Sequence, residues 1–78
     1  MKKEILLAAL EQRQQEVLGY QINIDNYTLA VKHIDSLGDP ELQDFKGNLI
    51  ELLATEKLEQ KKAKVILAVI ERQLAELQ

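Results

Sequence analysis

Breaker residues coincide at only one place in this chain, and that place is its midpoint: Ser36-Leu37-Gly38-Asp39-Pro40. Glycine takes the left-handed backbone conformation that ends a helix without steric cost, so Gly38 reads as a terminator. Asp39 carries a side chain suited to accept backbone N–H bonds at the start of a following helix. Pro40, the single proline, fits the first helical position, where a missing N–H is no loss. Long segments with periodic apolar residues run away on both sides. The expectation is an all-α fold: an antiparallel two-helix hairpin with long helices over about 2–35 and 40–77, bent about this turn.

In the first segment, apolar residues recur at alternating steps of three and four: Leu6, Leu10, Val17, Tyr20, Ile24, Tyr27, Val31 and Ile34, with Arg13 the one polar interruption. This is heptad spacing, the mark of a long helix with a narrow apolar seam. Tyr20 to Ile24 also alternates in the manner of a strand after Gly19, but a lone short strand has no partner in so small a chain. A kink at Gly19 is the more natural consequence. In the second segment the seam reads Leu42, Phe45, Leu49, Leu52, Glu56, Glu59, Ala63, Ile66 or Leu67, Ile70 and Leu74. A continuous helix of this length spans roughly 55–60 Å.

Facing residues of an antiparallel hairpin have numbers with a constant sum. About this turn, Ile34 then meets Leu42, Val31 meets Phe45, Tyr27 meets Leu49 and Ile24 meets Leu52. Further out, Tyr20 meets Glu56, Val17 meets Glu59, Arg13 meets Ala63, Leu10 meets Ile66 and Leu6 meets Ile70. Two separate sequence patterns thus fall into register, which is the mutual agreement expected of a foldable sequence. The same register brings the polar interruptions, Arg13 to Tyr20 and Glu56 to Glu59, to one level of the rod. Their polar heads are expected to reach water there; the sharper alternative is a buried polar layer that fixes register.

At 78 residues the chain is one domain, and two helices alone enclose little core. Each helix nevertheless has more apolar surface than a seam can use. Leu7, Leu18, Ile22 and Leu29 mark a second stripe on the first helix, and Ile50, Leu58, Val65 and Val69 one on the second. The runs Ile5–Leu10 and Val65–Ile70 are apolar almost all round, and the register places them together. A helix apolar on several sides is buried on several sides. These eight stripe residues are therefore the candidate interface, with another copy of the chain as the simplest partner, giving a four-helix bundle or larger helical oligomer. Glu4, Glu11 and Asp25 flank the first stripe; Lys46, Lys57, Lys61, Lys64 and Arg72 flank the second. Opposite-sign flanks of this kind steer pairing between hairpins.

Signatures of chemistry are missing from the sequence. There is no cysteine, hence no disulfide and no thiolate metal site. The one histidine, His33, falls at the end of the first helix, where a cation suits the helix dipole. No Glu-x-x-His pair, zinc spacing, Gly-rich phosphate loop or calcium loop occurs. A non-enzymatic protein is expected, with no cofactor and no metal. A net charge of −3 gives no support to nucleic acid as a partner of the whole chain. Lys57, Lys61 and Lys64 form the one basic cluster; it is diluted by Glu56 and Glu59 and lacks interleaved aromatic residues. No apolar run approaches the roughly 20 residues of a membrane-spanning helix. The N-terminal apolar run is too short for a signal peptide and no small-residue cleavage site follows it. A cytoplasmic location is the default.

The architecture with its Asp39-Pro40 turn resembles secretion-needle subunits and their small chaperones, and small accessory proteins of phages. That likeness covers architecture and two or three residues, and it implies no functional residue. The expected function is a protein–protein interaction module: an adaptor, inhibitor or assembly chaperone, acting as a small helical homo-oligomer. Two other readings compete with it. One is an oligomeric binder of a small anionic ligand or nucleic acid along the Lys57–Lys64 side. The other is a structural subunit that polymerises.

Overall fold

In the computed structural model, which describes residues 1–77, the chain is a helical hairpin. Helix α1 spans Lys2–Leu37; a single 3-10 turn, Pro40–Leu42, follows and leads directly into α2, Gln43–Glu76. The two helices pack along each other in a rod of 57 × 14 × 14 Å. Its radius of gyration is 17.5 Å, against about 11–12 Å for a compact domain of this length.

The turn is built as the breaker residues require. Gly38 is left-handed, with φ 60° and ψ 27°, and its N–H donates to the Ile34 carbonyl at 3.3 Å. Asp39 is extended, and its Oδ1 accepts from the Glu41 N–H at 2.9 Å. Its carbonyl accepts from the Leu42 N–H at 3.1 Å and from the Gln43 side-chain amide at 3.3 Å. Pro40 stands at the first position of the 3-10 turn. The boundaries differ slightly from expectation. Helix α1 runs to Leu37 and not to 35, so His33 lies short of the last turn, which holds no basic residue. Helix α2 proper begins at Gln43 because the proline turn winds more tightly. Helix α1 continues without a break through Gly19, and no strand forms at Tyr20–Ile24.

The α1 seam falls where the spacing puts it. Ile24 and Ile34 are buried; Leu6, Leu10, Arg13, Val17, Tyr20, Tyr27 and Val31 are half-buried. On α2, Leu49, Ala63, Ile70 and Leu74 are buried as expected. Leu42, Glu56 and Glu59 are half-buried, whereas Phe45 and Leu52 are 52% and 47% exposed; of the alternatives Ile66 and Leu67, Leu67 turns inward and Ile66 is 43% exposed. Lys46, Leu53, Gln60 and Leu67 take the inner row instead.

The two rows, 45-52-59-66 and 46-53-60-67, sit side by side on α2 with the same heptad repeat, so spacing cannot choose between them. Partners on α1 explain the choice. Lys46 forms an ion pair with Asp35, and Gln60 bonds to α1 at two atoms. The inner row also continues into Leu74, whereas the other continues into Gln73. The core that results is a single file. Among the described residues no large side chain is sealed completely from solvent.

Candidate interaction surface

A folded monomer of this mass exposes about 4,800 Å² by the usual size scaling. This hairpin exposes 5906 Å², about 1,100 Å² more than that scaling gives. The cause is its shape: two helices side by side can each bury only one stripe. Many large apolar side chains are exposed. All eight stripe residues are exposed, from Leu7 at 46% to Val65 at 63%. Ile5, Leu37 and Leu77 add to the apolar surface at the two ends. Soluble monomers rarely expose large contiguous apolar patches, and this chain is small for the number of large apolar side chains it exposes.

Heptad position sorts this surface into regions. Ile22 and Leu29 on α1, and Leu58 and Val65 on α2, occupy the rows diametrically away from the seam, at the outer edges of the rod. Phe45, Leu52 and Ile66 form a ridge on one broad face. Leu7 and Ile50 belong to rows that flank the seam on the opposite face, with Leu18 beside them. The stripes inferred from sequence are therefore spread around the hairpin, and the ridge is a further apolar feature that the seam assignment had absorbed. Its signal in the sequence was the surplus of apolar residues in two adjacent heptad rows of α2.

The polar mid-section is where the register puts it, and it carries a shallow cavity of about 120 Å³ lined by Arg13, Glu16, Tyr20, Glu59, Lys62, Ala63 and Ile66. Its charges pair locally. Arg13 donates to Glu16 at 3.0 Å and Lys62 to Glu59 at 3.1 Å. Both pairs are partly solvated, so each is worth at most about 1 kcal/mol. Glu59 keeps its head at the surface, as expected of a snorkelling side chain. Glu56 behaves otherwise: its Oε2 is buried with no hydrogen-bond partner.

Gln60 is the buried polar residue of the seam, at 8% exposure. Its Nε2 donates to the Val17 main-chain carbonyl at 3.2 Å and to Gln21 Oε1 at 2.9 Å. Gln60 was not singled out from the sequence, since a glutamine in a polar stretch looks like any solvated residue until the rotation of α2 is known.

Of the lysines flanking the α2 stripe, Lys46 is held by Asp35 and so belongs to the hairpin's own pairing. Lys57, Lys61 and Lys64 are exposed and have no acidic partner among the described residues. They do not line the cavity. Glu4 bonds to the α-ammonium of Met1, which holds its carboxyl below the ordinary range. Among the described residues no group of three or more His, Asp or Glu side chains converges as metal ligands do, and no helix is long and apolar enough to cross a membrane.

These features define an all-α helical hairpin with many large apolar side chains exposed. Compared with known proteins, the chain has no significant match to a family model, to a curated protein or to a solved structure.

Proposed function

We propose that this chain is a non-enzymatic protein–protein interaction module of the cytoplasm, an adaptor, inhibitor or assembly chaperone, that works as a small helical homo-oligomer. One observation carries the reading: about 1,100 Å² of surface beyond what a monomer of this mass ordinarily exposes, on a chain with many exposed large apolar side chains. A standard protein interface takes about 800 Å² from each partner, so the surplus is of the size that association consumes. Fully burying one Leu, Ile or Val contributes roughly 1.5–3 kcal/mol. Several per chain outweigh an association cost of several kcal/mol.

The terminal end has the densest apolar surface, with Ile5, Val65, Ile66 and Val69 all exposed there. Sedimentation equilibrium tests the reading. The wild type should be a dimer or larger, and Ile66→Glu with Val69→Glu, both exposed, should weaken it while the helix content by circular dichroism is kept. A wild type that stays monomeric at high micromolar concentration would refute the homo-oligomer. Open-ended growth in the same experiment would favour the structural subunit.

The three unpaired lysines support the second reading, an anionic ligand or nucleic acid bound along the Lys57–Lys64 side. A phosphate-driven complex weakens steeply with salt, whereas apolar association does not, so titrating salt against a labelled oligonucleotide separates the two.

A further inference from the structure

We infer that two copies of this chain pair through the broad face that carries Phe45, Leu52 and Ile66, and not through the outer edges of the rod. The inference rests on the homo-oligomer reading above and names the surface it uses.

The face is located by the cavity. Glu59 and Ile66 of the ridge row line it together with Arg13, Glu16 and Tyr20 of α1, so the ridge and these α1 residues share one side of the hairpin. Heptad steps from Glu59 and Ile66 place Phe45 and Leu52 on that side as well. Steps of seven from Glu16 place Ala9, Asn23 and Ala30 on α1 alongside. The face is therefore stepped on either side of its polar middle: Phe45, Leu52 and Ile66 on α2 stand beside a shelf of Ala30, Asn23 and Ala9 on α1, with Glu16 level with Glu59 between them. A two-fold pairing presents the same patch from each copy. It lets the ridge of one copy lie over the shelf of the other, the large-against-small match that well-packed layers need.

Charge agrees with a second copy as the occupant. The middle of the face carries Arg13, Glu16, Glu59 and Lys62, two of each sign and already paired. This patch is neutral, so two copies meet across it without net repulsion, although the whole chain has a charge of −3. The opposite face also carries exposed Leu7 and Ile50 beside its seam, but Gln21, Asp35, Lys57 and Lys64 share their rows. Area agrees too. A two-helix face covers both helices along the rod, while an edge offers one. Along a rod 57 Å long, such a face can supply the roughly 800 Å² that a standard interface takes from each partner. Covering this face also seals the side of the seam on which Tyr20 is only half-buried.

The test compares two double variants by sedimentation equilibrium, with circular dichroism to verify the helices. Phe45→Glu with Ile66→Glu should raise the dimer dissociation constant at least about a hundredfold. Leu29→Glu with Leu58→Glu, on the outer edges, should leave it within about threefold. A dimer that survives the ridge substitutions, or that the edge substitutions dissociate equally, overturns the assignment of the face while leaving the homo-oligomer reading intact. A monomeric wild type overturns that reading itself. A second measurement needs no disruptive change. The chain has no cysteine, so Leu52→Cys and Leu58→Cys each supply a single thiol. Raising the protein to ten times its dissociation constant should slow alkylation of L52C about fivefold and leave L58C unchanged. Equal rates at both sites, or protection of L58C alone, would refute the proposed face.

Discussion

Gln60 reaches across the hairpin and donates its side-chain amide to the main-chain carbonyl of Val17, at 3.2 Å. A main-chain carbonyl has a second lone pair beyond its helical bond, so this contact takes nothing from α1. The same nitrogen bonds to Gln21 at 2.9 Å. Sliding α2 along α1 would break the contact with Gln21, the position-specific half of this pair of bonds, and a single polar group in an apolar seam can favour one register in this way.

Replacing Gln60 separates stability from specificity. Gln60→Leu should be neutral or stabilising by up to about 1 kcal/mol, because Gln21 can turn to water and the Val17 carbonyl keeps its helical bond. Gln60→Glu should cost about 1–3 kcal/mol, because it sets a carboxylate oxygen against the carbonyl. Thermal melts of both variants check this. A large loss from the leucine variant would mean that the amide supplies stability and not register.

Glu56 offers the opposite case. Its buried Oε2 has no partner, and an unsatisfied buried polar atom costs about 1–3 kcal/mol. Glu56→Leu should therefore stabilise the hairpin, raising the melting temperature by several degrees at about 4–8 °C per kcal/mol for a domain of this size. A lowered melting temperature would show that Glu56 has a partner in the folded protein.

The turn should be sensitive in a graded way. Asp39→Ala removes the cap on the Glu41 N–H and should cost about 1 kcal/mol. Gly38→Val should cost more, since φ 60° is a conformation that β-branched residues avoid. Urea denaturation at constant m-value gives both numbers, and an unchanged midpoint in both would mean the turn does not contribute to stability.

Gly19 and Gly47 lie inside helices, and a Cβ added at either meets nothing within 4 Å. Each change to alanine should stabilise by roughly 0.5–1 kcal/mol through helix propensity alone. Melts at low concentration, where the hairpin is on its own, are the right comparison. A Gly19→Ala variant that loses stability would point to a close approach at that position.

Much of the hairpin was legible in the residues. The breaker cluster at Gly38-Asp39-Pro40 needs only local backbone chemistry, and it folds as that chemistry dictates. The α1 seam, Leu6 to Ile34, was legible because its two heptad rows are plainly more apolar than their neighbours. The level of the polar mid-section followed from register about the turn. What the sequence could not determine was the rotation of α2. Its rows 45-52-59-66 and 46-53-60-67 have similar apolar content, and one step around the helix exchanges them. Only the tertiary structure decided that Lys46 and Gln60 face α1, because only there do Asp35 and the Val17 carbonyl come within reach. That one rotation turned Phe45, Leu52 and Ile66 outward and so placed an apolar ridge on the surface. Periodicity records which residues share a row; which row is buried depends on partners distant in sequence, and those partners exist only once the helices have met.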